Sequence, residues 1–180
     1  MDRIRLHDKE FRLFIPNEKI EAAITKVAER LNNDYSGEDV PLFLSVLNGS
    51  FMFCASLMQK LNFNSELSFI KIASYCGTES TGKTKELIGL GCNIKGRSVV
   101  IIEDIVDTGN TIAFLHKLLL EKGAADVKIC TLFLKPGSYS GTIPIDYPAM
   151  EIGNEFIVGF GLDYDQIGRQ YKDIYIIDQI

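Results

Sequence analysis

Apolar positions along the chain follow two different periods. After Pro16, the residues Ile20, Ile24, Val27 and Leu31 recur every three or four positions, which predicts an amphipathic helix ending near Asn32, Asn33 and Gly37. PLFLSVL (41–47) is a short unbroken apolar run, as expected of a strand buried on both faces. Asn48-Gly49-Ser50 then reads as a turn, and FMFCASLMQKL (51–61) as a helix. The same order returns downstream: SVVIIE (98–103) predicts a second buried strand, DIVDTGNT a polar turn, and IAFLHKLLLEKG a helix stopped by Gly123. LSFIKIASY (67–75), VKICTLFLK (127–135), FIVGFGL (156–162) and IYIID (174–178) add further strands. CGTESTGKTKE has few apolar residues and predicts a mobile loop over about 76–88. Alternating buried strands and helices imply an α/β fold with a mainly parallel sheet flanked by helices, and such sheets bind ligands beyond the carboxyl ends of their strands. Neither a repeat nor a long linker interrupts the pattern, so residues 1–180 are expected to form one domain.

Composition narrows the chemistry. The formal net charge is -5 and the pI about 5.1, so no global positive field draws in nucleic acid or an anionic membrane; an anionic ligand must be held by local groups. The start, MDRIRLHDKEF, lacks the apolar core of a signal peptide and no apolar run reaches the ~20 residues that span a bilayer, so a soluble cytoplasmic protein is expected. Cys54, Cys76, Cys92 and Cys130 form no C-x-x-C pair, and they read as reduced and structural rather than as a zinc or dithiol site. With only His7 and His116 available, His-based nucleophilic catalysis is poorly supported. Carboxylates, amides and a metal ion are the better candidates.

VVIIEDIVDTGNT (99–111) carries the most information. Glu103 and Asp104 fall at the end of a buried strand, on the rim where ligands collect. Asp107 to Thr111 form a turn entering a helix, where backbone N–H groups and the helix dipole make an anion cradle. Gly109 allows a phosphate to approach closely, and Thr108 and Thr111 add hydroxyl donors. Carboxylates beside such a cradle would repel the ligand unless they face something else, and vicinal ribose hydroxyls and a divalent cation are their natural partners. A lone D-T-G would read as a turn former and a helix cap. Here three carboxylates, a strand, a turn and a helix point the same way.

This segment resembles the phosphoribosyl pyrophosphate motif of the type I phosphoribosyltransferases. LSVLNGSFMF, IKIASYCGTESTG, LFLKPGS and FIVGFGLDYDQIGRQY, in that order, are similar to the hypoxanthine-guanine branch of that family. The resemblance implies the type I fold, with a small hood formed by the chain ends. It also implies magnesium as cofactor, phosphoribosyl pyrophosphate and a 6-oxopurine as substrates, and a homodimer or homotetramer. Carried over onto this chain, it puts Glu103 and Asp104 against the ribose hydroxyls and a magnesium shell. Asp107, Thr108, Gly109, Asn110 and Thr111 would hold the 5-phosphate, with Asp107 near purine N7 as the general base. Lys135 would donate to the 6-oxo group, Phe156 would stack on the purine and the backbone of Ile157 would read its edge. Asp163 would lie by the purine and bind magnesium, and Arg169 would grip pyrophosphate together with Asn48, Gly49, Ser74 and Tyr75.

Many members carry Lys or Arg where this chain has Asn48, so the loop 47–50 is expected to bind pyrophosphate through amide and backbone donors. Competing readings are a xanthine-preferring or broader 6-oxopurine transferase, an RNA-binding regulator on the same fold, and an acidic-pocket phosphatase or receiver domain. The acidic charge opposes the second.

Overall fold

The computed structural model describes residues 2–37, 40–73, 85–88 and 90–178. Its centre is a sheet in which β3 (Leu42–Leu47), β4 (Glu66–Ala73), β6 (Ser98–Val106), β7 (Asp126–Leu134) and β8 (Tyr147–Glu151) run parallel. β5 (Lys85–Ile88) adds an antiparallel edge, giving the order β5-β4-β3-β6-β7-β8. Both faces are covered. Leu42, Leu44, Val99, Ile101 and Ile129 pack on α3 (Asn110–Glu121), whereas Phe43, Val100, Ile102 and Cys130 pack on α1 (Asn17–Asp34) and α2 (Phe51–Met58). This two-sided burial is why the strands read as apolar runs rather than as alternating patterns.

α1 starts directly after Pro16, and Ile20, Ile24, Val27 and Leu31 form its buried stripe as their spacing requires. α2 ends at Met58, earlier than the expected Leu61. Lys60 N–H donates to Leu57 O (2.9 Å) and Leu61 N–H to Met58 O (3.4 Å), so the chain tightens into i→i+3 turns there. β6 runs three residues beyond the expected 103, because Ile105 and Val106 pair with Phe133 and Leu134 of β7 before the turn begins. Glu103 and Asp104 are therefore strand residues inside the sheet's rim. Residues 85–88 lie within the segment expected to be a loop and form β5; the remainder of that segment, with Ser74, Tyr75 and Cys76, lies outside the described residues.

The chain ends build a second, antiparallel sheet in the order β1-β2-β10-β9, from β1 (Arg3–Leu6), β2 (Lys9–Ile15), β9 (Ile157–Val158) and β10 (Ile174–Ile177). The expected strand 156–162 shrinks to two residues and joins this hood. Gly159 (φ 101°), Phe160 (φ 45°) and Gly161 (φ 100°) all take the left-handed region, which an extended strand cannot include. The hood is tied to α1 by Asn17 N–H donating to Asp173 Oδ1 (2.8 Å) and sits over the carboxyl ends of the parallel strands. Among the described residues no helix is long and apolar enough to cross a membrane.

Because Ile24 is fully buried between α1 and the sheet, Ile24→Ala is expected to cost about 2–5 kcal/mol in a denaturant titration. Leu120, 46% exposed on α3, provides the control: Leu120→Ala should stay within about 0.5 kcal/mol of the parent protein.

Candidate functional site

The carboxyl ends of β3 and β6, the first turn of α3 and the loop after β9 enclose a cavity of about 330 Å³. Asn48, Gly49, Glu103, Asp104, Asn110, Thr111, Asp163 and Arg169 all line it, so residues far apart in sequence converge as expected. A smaller cavity of about 100 Å³ lies against Asp107, Thr108, Gly109, Asn110 and Thr111, with Glu103, Asn110 and Thr111 shared between the two.

The turn 107–111 is built to meet an anion. Gly109 (φ 87°) caps α3, and the first intrahelical bond is Ala113 N–H to Gly109 O (2.9 Å). The helix therefore offers no internal acceptor to the amides of Asn110, Thr111 and Ile112, and its dipole adds partial positive charge where they point. Gly109 itself has no side chain to cap this end.

The loop after β3 is held from below. Ser50 Oγ donates to Val46 O and lies 2.7 Å from Ser45 Oγ, both hydroxyls fully buried, and Ser50 O accepts from Cys54 N–H (2.8 Å). The Leu47–Asn48 peptide is cis; Asn48 lies exposed at the cavity and Gly49 is buried. A Cβ on Gly49 would overlap the Asp104 carboxylate, and one on Gly161 would overlap Gly49 O. These two glycines let β6, the first loop and the hood meet at one point.

Opposite them, Asp163 Oδ1 accepts from Arg169 Nη2 (2.7 Å) and Asp163 Oδ2 from Gln166 N–H (2.8 Å). Arg169 Nη1 also donates to Gly161 O (2.8 Å). Arg169 is thus oriented at the cavity wall before any ligand arrives, leaving part of its five-donor fork for an oxyanion.

Charge in this cavity is unbalanced. Glu103 is only 8% exposed and, among the described residues, its buried Oε2 has no hydrogen-bond partner. Burial first, and the neighbouring Asp104 second, push its carboxyl well above the ordinary range. Burial likewise raises Asp104 to about 6, against the opposing effect of the Ile105 N–H, which donates to Asp104 Oδ1 (2.8 Å). Among the described residues no three acidic, His or Cys side chains already form a metal cage. Magnesium is commonly held by one or two carboxylates plus substrate oxygens, and the Glu103–Asp104 pair and Asp163 fit that mode.

Lys135 and Asp107 meet beside the turn. Lys135 is 8% exposed, and its Nζ donates to Asp107 Oδ2 (3.2 Å), so it is not the solvated strand-end lysine its sequence position alone would suggest. Phe156 is 46% exposed on the hood, its ring edge-to-face with Tyr164 at 5.8 Å and 6.4 Å from Phe11. Ile157 is buried in β9 and pairs with Ile176. Lys135, Phe156 and Ile157 border neither cavity but lie on the strand ends and hood next to them. Sequence reasoning missed Ile72 and Phe114, which line the larger cavity. Both sit in apolar stretches that read as core, and only Phe114's place one turn after Asn110 hints at its position.

Residues 15–165 match the family model described as the phosphoribosyl transferase domain. The chain is 44% identical over 155 residues to the hypoxanthine-guanine phosphoribosyltransferase of Streptococcus pyogenes serotype M3, covering 86% of each chain. The chain belongs to the hypoxanthine-guanine phosphoribosyltransferase family. The enzyme of that name from Streptococcus thermophilus is 40% identical over 169 residues, 93% of each chain. A Trypanosoma cruzi hypoxanthine phosphoribosyltransferase variant, complexed with the product IMP, superposes with a TM-score of 0.86 at 32% identity over 97% of this chain and 93% of that one. The parallel sheet and its flanking helices are thus the type I phosphoribosyltransferase fold.

The raised carboxyls give this phosphoribosyltransferase a signed pH dependence. Asp104's folded pKa lies above its unfolded value of 3.8, so folding favours the protonated acid, and stability falls as pH rises from about 3.8 to about 6. In the ligand-free protein, Asp104→Asn should therefore raise stability at pH 7.5 by about 1–2 kcal/mol, discounted for the half-open site. The gain should vanish at pH 4. Thermal melts at both pH values check this, and a mutant less stable at pH 7.5 would contradict it.

Proposed function

We propose that this chain is a purine-salvage enzyme that transfers the 5-phosphoribosyl group of phosphoribosyl pyrophosphate to hypoxanthine or guanine, giving IMP or GMP and pyrophosphate. The observation that carries this reading is the convergence, in one cavity, of an uncapped helix N-terminus, a buried carboxylate pair and an oriented Arg169. Each matches one part of a phosphoribosyl pyrophosphate molecule. The amides and hydroxyls of 107–111 hold the 5-phosphate, and Glu103 and Asp104 accept from the ribose hydroxyls. Arg169, Asn48 and Gly49 hold the pyrophosphate, joined by Ser74 and Tyr75 in the family pattern.

In the reaction the bond from the anomeric carbon to pyrophosphate breaks and a bond from that carbon to a purine ring nitrogen forms. The sugar gains positive charge on the way, which the carboxylates tolerate, and the leaving group keeps the electron pair, which Arg169 stabilises. Asp107 accepts the purine's proton near N7. Lys135, already beside Asp107, donates to the 6-oxo group, Phe156 stacks on the purine, the Ile157 backbone reads its edge and Asp163 borders it. Bound with the substrate by Asp163 and the Glu103–Asp104 pair, magnesium would neutralise charge on the pyrophosphate. A cytoplasmic homodimer or homotetramer completes the reading. The exposed Phe51, Leu67 and Phe69 are apolar groups that such an assembly would cover.

The deciding assay follows pyrophosphate release with phosphoribosyl pyrophosphate, magnesium and each of hypoxanthine, guanine, xanthine and adenine. Hypoxanthine and guanine should turn over. Adenine should not, because its 6-amino group would face the Lys135 donor and leave both unsatisfied. Turnover of adenine comparable to hypoxanthine would refute the role of Lys135. Asp107→Asn should lower kcat about 10- to 1,000-fold with little change in the KM for phosphoribosyl pyrophosphate, since the cradle's amides remain. An unchanged kcat, measured where chemistry limits the rate, would remove Asp107 from the mechanism.

A further inference from the structure

We infer that Tyr139 is a positioning residue for the 5-phosphate cradle, its ring bracing the turn at Gly109 from outside the cavity lining. This rests on the reading of 107–111 as the phosphate site. Gly109 is left-handed, and the direction in which a side chain would leave it is filled by Tyr139: a Cβ there would lie 2.8 Å from ring carbon Cδ2 and closer still to Cε2. The ring therefore lies in contact with the Gly109 backbone. Among the described residues, those bordering the cavity at the turn are Glu103 and the run from Ile105 to Ile112, and Tyr139 is not one of them. The ring thus meets Gly109 outside the cavity lining.

Tyr139 is itself well fixed. Its hydroxyl donates to Ile143 O (2.5 Å), a Cβ on Gly141 would overlap its ring, and it packs among the partly buried residues around the α3 core. Its N–H, with that of Ser138, donates to Lys135 O (3.0 and 3.1 Å). Lys135 in turn donates its own N–H to Val106 O (3.0 Å) and its Nζ to Asp107 Oδ2. One short turn, 135–139, therefore grips the cradle twice, through Lys135 at its start and through Tyr139 at Gly109.

The cradle needs such support. Its donors are backbone amides, which bind well only if the turn is already in place, and the turn itself is solvent-facing at Asp107, Thr108, Asn110 and Thr111. Without the ring, Gly109 would regain the conformational freedom that glycine alone has, and ordering it would be charged against phosphate binding.

The test compares ligands that differ only in the phosphate: IMP and inosine, bound to the intact protein and measured by competition. Tyr139→Ala should weaken IMP about 10-fold and inosine less than about twofold, whereas Tyr139→Phe, which keeps the ring, should stay within about twofold for both. If Tyr139→Ala does not fold, Tyr139→Leu fills the volume without a flat ring and gives the same comparison. Equal weakening of IMP and inosine would show a merely structural role and overturn the inference, as would unchanged IMP binding. Wild-type protein that binds inosine as tightly as IMP would instead refute the reading of 107–111 as the phosphate site.

Discussion

Two adjacent carboxylates at the sheet's rim, Glu103 buried and Asp104 half-buried, neither held in a salt bridge among the described residues, set the terms for everything around them. Glu103 and Asp104 sit in β6 just past Val99–Ile102, the stretch paired with both β3 and β7, at the edge of the packed sheet where solvent cannot screen them fully. A folded state optimised for stability alone would place apolar residues there. Keeping acids at the rim makes sense if the missing partners arrive with the ligand: hydroxyls to donate to them and a cation to balance them. Stability given up in the free protein becomes binding strength and orientation in the complex.

The surrounding structure serves to keep that pair dry, accessible and correctly placed. Gly49 and Gly161 remove the side chains that would hold the first loop and the hood away from Asp104. The buried Ser45–Ser50 pair fixes the base of the first loop, and Asp163 keeps Arg169 at the cavity wall. The N-terminal end of α3 adds positive potential from its backbone amides to the same cavity, with Asn110 and Thr111 lining it alongside Glu103 and Asp104.

Local pattern made the parallel sheet legible in the sequence, because strands buried on both faces leave continuous apolar runs and α1 and α3 carry a one-sided apolar stripe. The cavity's acids and phosphate turn were legible because they lie in one contiguous segment, Glu103 to Thr111. The strand's true end at Val106 was not, since Asp104 reads as the start of a polar turn and only the pairing of Ile105 and Val106 with Phe133 and Leu134 shows otherwise. The hood followed from family resemblance rather than pattern: β2 pairs with β10 through contacts such as Ile15 with Ile174, too distant in sequence to leave a local mark. Tyr139 had no signal at all, for its meaning depends on a contact with Gly109 thirty residues earlier.

The central claim is that the pair is only partly compensated in the free protein and fully compensated by the ligand, and carboxyl-carbon NMR titration of Glu103 and Asp104 reads this directly. In the free protein Asp104 should titrate near 6 and Glu103 above the ordinary carboxyl range; with phosphoribosyl pyrophosphate and magnesium both should fall to ordinary values or below. Two carboxyls titrating near 4 without ligand, or unmoved by it, would contradict the account.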